Sequence, residues 1–85
     1  MTIDDIADLV KDYILKQFLP GERPEELINS TPLISGGILD SIATLKLVNF
    51  LEERFSIQLE AHETDVEHLG TISSIANLVC AKLGR

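Results

Sequence analysis

Apolar residues recur at spacings of three and four in separate stretches of this chain, and the gaps between them hold proline, glycine and charge. In the first stretch Ile3, Ile6, Val10, Tyr13, Ile14 and Phe18 fall on one stripe at about 100° per residue, which predicts a helix over residues 2–18. Thr2 and Asp5 have the spacing of a capping box, and Asp4, Asp5 and Asp8 suit the positive end of the helix dipole. Pro20-Gly21 stops the pattern.

Residues 20–39 form a long connection punctuated by Pro20, Gly21, Pro24, Pro32, Gly36 and Gly37. Its apolar residues Leu27, Ile28, Leu33 and Ile34 are expected to pack down onto the helices, with a turn of helix at Pro24-Glu25-Glu26-Leu27. A second helix should begin at Asp40 or Ser41 and run to Phe55. It places Leu45, Leu47, Val48, Leu51 and Phe55 on one broad arc, facing Ile6, Val10, Ile75 and Val79. Ile42, Lys46, Asn49, Phe50 and Glu53 then lie on the opposite side, with Ala43 beside them. The alternation in Phe55-Ser56-Ile57-Gln58-Leu59 looks like a strand, but the chain offers no second strand to pair with it. Thr64-Asp65-Val66-Glu67 reads as a capping box for a short helix ended by Gly70. Thr71 can cap a last helix carrying Ile72, Ile75, Leu78, Val79 and Leu83. The expected fold is all-α: a small four-helix bundle of three main antiparallel helices and one short one.

Composition narrows the possible functions. With 85 residues, one domain over residues 1–85 is the ceiling, and 45% hydrophobic with 25% charged residues is ordinary for a folded chain. Seven basic residues against fourteen acidic ones give a net charge of -7, which counts against nucleic acid and anionic membrane as partners. Four aromatic residues and no Trp leave little for base stacking. No apolar run approaches the roughly 20 residues of a membrane span, and the acidic residues after Met1 do not resemble a secretory signal. The lone Cys80 cannot staple the fold and no zinc spacing exists, so a cytoplasmic monomer is expected. Cys80 and Tyr13 read as core residues. His62 and His68 stand among Glu60, Glu63, Asp65 and Glu67, but a spacing of six puts them on different helix faces. A solvated acidic loop, not a metal site, is the better reading.

The informative string is Gly36-Gly37-Ile38-Leu39-Asp40-Ser41-Ile42. Its plain reading is a turn followed by a helix cap, with Asp40 the cap and Ser41 a first-turn residue. In context the sequence resembles the acyl carrier protein superfamily. The attachment motif of that family, Gly-x-Asp-Ser-Leu in its commonest form, has as its counterpart Gly37-Ile38-Leu39-Asp40-Ser41-Ile42, with one extra residue between Gly and Asp. The resemblance continues through Leu51-Glu52-Glu53-Arg54-Phe55, the short helix near Val66-Glu67 and Thr71-Ile72-Ser73-Ser74-Ile75, covering nearly the whole chain.

The resemblance implies that Ser41 carries 4′-phosphopantetheine, installed from coenzyme A by a separate phosphopantetheinyl transferase using magnesium. Asp40 would help hold that metal during transfer. The thiol of the arm, not Cys80, would hold an acyl, aminoacyl or peptidyl cargo supplied by a loading ligase or acyltransferase and used by downstream biosynthetic enzymes. Ile42, Ala43, Lys46, Asn49, Phe50 and Glu53 would form the docking face. Because Lys46 and Arg54 balance Glu52 and Glu53, this face should bind through apolar contact with weak salt dependence. That balance and the Leu-Asp-Ser motif favour a free-standing or specialised carrier over one for bulk lipid synthesis. The competing reading is an unmodified helical adaptor. An enzyme fits worse, since no Ser/His/acid spacing, phosphate-cradling loop or metal set is visible.

Overall fold

Three long helices and one of a single turn share an apolar centre in the computed structural model, which describes residues 2–21 and 23–84. Helix α1 spans Ile3–Phe18. The Thr2 hydroxyl accepts from the Asp5 N–H at 3.2 Å and the Asp5 carboxylate accepts from the Thr2 N–H at 3.0 Å, so the expected capping box is formed. Ile6, Ala7, Val10 and Ile14 are buried, whereas Ile3, counted in the stripe above, sits in the first turn and stays exposed. The helix ends before Pro20-Gly21, with Leu19 as its cap.

The connection to the next helix contains a 3-10 turn at Pro24–Glu26 and is pinned from both sides. The Leu33 N–H donates to the Gly70 carbonyl at 2.7 Å and the Ser73 N–H to the Asn29 carbonyl at 3.0 Å, tying the loop to the start of the last helix. Leu27, Leu33 and Leu39 are buried and Ile34 packs against them, as expected. Ile28 departs from the expectation and is exposed, because its stretch turns back on itself through Thr31. The two glycines have separate causes. A β-carbon on Gly36 would overlap the Pro32 carbonyl oxygen, and Gly37 has φ +81°, which L side chains rarely adopt. Together they fold the chain back so that both Ile38 and Leu39 N–H groups donate to the Leu33 carbonyl at 2.9 Å.

Helix α2 spans Ser41–Phe55, and its buried stripe is Ala43, Leu47, Leu51 and Phe55. Two sequence expectations are corrected here. Leu45 was expected in the core arc, yet it lies about 140° around the helix from the midline of that stripe and is 61% exposed. Phe50 and Ala43 were expected on the outer face. Ala43 is buried, and Phe50 is half-buried because its ring stacks on Tyr13 at 4.0 Å between centroids and 13° between planes. All four aromatic residues form one run, Phe18–Tyr13–Phe50–Phe55, in which the outer contacts are edge-on. Tyr13 is therefore half-buried, and its hydroxyl donates to the Lys46 carbonyl at 3.2 Å, joining α1 to α2.

After α2 the chain runs without strand through residues 57–60, where the Leu59 N–H donates to the Glu52 carboxylate at 2.9 Å. A 3-10 turn follows at Ala61–Glu63, then α3 at Val66–Leu69 and α4 at Ile72–Lys82. The capping box expected at Thr64–Glu67 is not there. Thr64 closes the preceding turn by donating from its hydroxyl to the Ala61 carbonyl at 2.8 Å, and Asp65, one residue later, caps α3. Instead the Glu63 carboxylate accepts from the Glu60 N–H at 2.9 Å, and the Glu63 N–H donates to the Glu60 backbone carbonyl at 2.9 Å. Thr71 caps α4 as expected, and Ile72, Ile75, Leu78 and Val79 are buried, with Leu83 and Cys80 packed at the edge of the core. Helix α4 packs against both α1 and α3. No helix among the described residues is long and apolar enough to cross a membrane.

Candidate functional site

Ser41 is the first residue of α2 and is exposed, and its hydroxyl has no hydrogen-bond partner among the described residues. Asp40 before it has extended backbone (φ -89°, ψ -172°), and its Oδ1 accepts from the Ala43 N–H at 2.7 Å. That bond satisfies one of the orphan amides of the first turn and leaves Oδ2 free. The Ser41 and Ile42 N–H groups belong to the first turn, which has no intrahelical acceptor for them, at the positive end of a 15-residue helix. An anion bonded to Ser41 Oγ would meet those two amides. The tip is fixed by the pinned loop behind it and by Thr44, whose hydroxyl donates to the Asp40 carbonyl at 2.7 Å.

Beside Ser41 runs an open groove of ≈ 460 Å³, bounded by Ile34, Leu39, Asp40 and Thr44 on one side and by Thr64 and Val66 on the other. Three of the large apolar side chains that stay exposed, Ile42 (68%), Leu45 (61%) and Val66 (53%), surround this tip. Leu45 and Val66 are functional candidates that the sequence reading missed. The angle of Leu45 from the spacing-four stripe Leu47, Leu51 and Phe55 was the available signal; nothing local marked Val66. Of the residues expected on the docking face, Ile42, Lys46, Asn49 and Glu53 are exposed, whereas Ala43 and Phe50 are withdrawn as described above.

His62 is exposed in the loop, and His68 is held by Asp65, with Nδ1 to Oδ1 at 2.7 Å. Among the described residues no group of three or more His, Cys, Asp or Glu is placed to hold a metal. Three carboxylates are held below their usual range by hydrogen bonding. For Asp65 the first cause is the His68 ring and the second the His68 N–H; for Glu63 the Lys82 ammonium comes first and the Glu60 N–H second. For Asp5 the Thr2 N–H leads, followed by its hydroxyl. A carboxylate held low in the fold contributes stability above its unfolded pKa, and that stability is lost as pH falls through the folded value. The melting temperature is therefore expected to fall as pH drops from 7 to below about 4. Replacing Glu63 by Gln and Asp65 by Asn should make that fall shallower. Thermal melts across this range check it, and equal slopes in both proteins would contradict it.

No family model matches the chain. A protein of Serratia sp. (strain ATCC 39006) described as "Probable acyl carrier protein PigG" is 34% identical over 68 residues, covering 80% of this chain and 77% of the relative. A chain in a solved structure described as "Crystal structure of FAD-dependent dehydrogenase" superposes with a TM-score of 0.74 at 27% identity. The match covers 82% of this chain and 97% of that one, so the two chains are of similar size.

Proposed function

The chain belongs to the acyl carrier protein family, and from that premise we propose that residues 1–85 are one carrier domain that holds its cargo on 4′-phosphopantetheine bonded to Ser41. The observation that carries the assignment is the unbonded, exposed Ser41 hydroxyl at the tip of α2, in the first turn of that helix. When bound, the arm supplies a thiol that carries an acyl, aminoacyl or peptidyl group as a thioester. Ser41 Oγ would form the new bond to phosphorus, 3′,5′-ADP would leave coenzyme A, and the hydroxyl proton would pass to a base of the transferase. Among the described residues no histidine stands beside Ser41 and the adjacent Asp40 is engaged as the cap of α2, so we read the chain as a substrate of other enzymes and not as a catalyst. Asp40 keeps one carboxylate oxygen free for the magnesium ion of that transfer.

The remaining partners are a loading ligase or acyltransferase and the enzymes that use the cargo, met by a cytoplasmic monomer with no nucleic acid or membrane. The likeness to a carrier-sized chain in a structure named for an FAD-dependent dehydrogenase supports a flavin-dependent oxidoreductase among those enzymes. Incubation of the unmodified chain with coenzyme A, magnesium and a promiscuous transferase is expected to convert it fully, read by intact mass. Failure to gain the arm would favour the unmodified adaptor.

The docking face we assign is Ile42, Leu45 and Val66 around the tip, flanked by Lys46, Asn49 and Glu53. Because Leu45 contacts solvent and not the core, Leu45→Glu should leave the melting temperature within about 3 °C. It should lower loading by the cognate enzyme about tenfold or more, the loss of roughly 1.4 kcal/mol of apolar contact. Loading of the wild type should change little with salt, since the face carries little net charge. Undiminished loading of Leu45→Glu would remove this face from the account.

A further inference from the structure

The far wall of the groove beside Ser41 is held from a distance. Thr64 and Val66 form that wall, and they lie in the stretch 60–68, in which no side chain is buried. The stretch is anchored at its ends, by the Leu59 N–H on the Glu52 carboxylate and by buried Leu69. Between those anchors it faces α4 across an open groove of ≈ 430 Å³, with Glu63 and Glu67 on one side and Ser74, Asn77 and Ala81 on the other. Burial therefore does little to fix the wall. The hydrogen bonds of the 3-10 turn, from the Glu63 and Thr64 amides and the Thr64 hydroxyl, stay inside residues 60–64. Among the described residues one polar contact leaves that turn. Lys82 Nζ lies 2.6 Å from Glu63 Oε1, which also accepts from the Glu60 N–H at 2.9 Å. The two side chains are 25% and 15% exposed, so salt screens this pair less than one on the open surface.

We propose that Lys82 is a positioning residue for the Ser41 site: through Glu63 it ties the 60–66 stretch to the end of α4 and holds Thr64 and Val66 where a partner enzyme meets them. Glu63 stands one residue before Thr64 and three before Val66, so a shift of Glu63 carries the wall with it. Lys82 itself lines neither the groove nor the docking face. With the tie released, a partner must order the wall as it binds, and that entropy weakens binding without touching the reacting atoms. The inference rests on Ser41 carrying the arm and on Val66 lying in the docking face.

The test follows transfer of phosphopantetheine from coenzyme A to the full chain by a promiscuous transferase, with the carrier as the varied substrate. A wild type that gains no arm means that the Ser41 reading has failed and this inference with it. With the wild type modified, Lys82→Met keeps much of the apolar stem and removes the charge. It is expected to raise KM about fivefold with kcat unchanged, and Lys82→Arg to restore the wild-type value. Val66→Ser should raise KM as well, and adding Lys82→Met to it should change KM by less than about twofold, because both act on one wall. In Lys82→Met the Glu63 and Thr64 amides should exchange hydrogen faster than in the wild type, while those of Val10 and Ile14 keep their rates. Should circular dichroism show Lys82→Met unfolded, Glu63→Gln breaks the same pair from its other end and decides in its place, with the same rise in KM expected. An unchanged KM for Val66→Ser would remove Val66 from the docking face, and this inference with it. A wild-type KM in the deciding variant, or effects of Lys82→Met and Val66→Ser that multiply, would overturn the inference while leaving Ser41 as the attachment point.

Discussion

Leu51→Ala is expected to lower the melting temperature by at least about 10 °C, while Leu45→Ala, six residues earlier on the same helix, moves it by no more than about 4 °C. Leu51 is fully buried in a core cluster that draws residues from all four helices, so truncation removes its transfer free energy and leaves a cavity, together about 2–5 kcal/mol. A domain of this size has only roughly 5–15 kcal/mol in total, and each kcal/mol moves its melting temperature by about 4–8 °C. Leu45 has no such contacts to lose, and exposed substitutions usually stay within about 0.5 kcal/mol. Thermal melts followed by circular dichroism give both values. Equal shifts for the two variants would mean that α2 is rotated from the orientation described.

The largest effect expected on function is that of Ser41→Ala: complete loss of phosphopantetheine attachment and of thioester loading, with the fold intact. The side chain is exposed and unbonded, so its removal leaves no cavity and no orphaned donor or acceptor. Asp40 continues to cap the helix through Ala43, so a destabilised variant is not expected. Circular dichroism and intact mass, measured on the same sample, separate loss of the nucleophile from loss of the fold. Any loading of the variant would place the arm elsewhere.

The sequence carried the outline of this molecule well where one helix face is apolar and the other polar. The stripe of α1 and that of α4 could be read directly, because Asp and Lys or Ser and Asn occupy their outer sides. Helix α2 was ambiguous for a physical reason. Ile42, Leu45, Leu47, Val48, Phe50, Leu51 and Phe55 surround much of it, so periodicity alone admits more than one inward arc. The arc is decided by a partner on another helix: Tyr13 takes Phe50 into an aromatic stack and rolls Leu45 outward. The cap of α3 was ambiguous in the same way. Thr64 and Asp65 can both accept from a first-turn amide, and the choice falls to Asp65 because Thr64 is used by the 3-10 turn before it. At the site, Asp40 and Ser41 were legible as a motif. The far wall of the groove, Thr64 and Val66, was not, since only the path of the loop over Gly70 brings that stretch alongside.

The central claim is that Ser41 is the single point of attachment, and localisation of the arm by tandem mass spectrometry tests it most directly. The wild-type chain, treated with coenzyme A, magnesium and a promiscuous transferase, should gain one phosphopantetheinyl group. Fragment ions should place that group on Ser41 and leave Ser30, Ser35, Ser56, Ser73 and Ser74 unmodified. A group found on any of those five serines, or a chain that never gains one, would contradict the account.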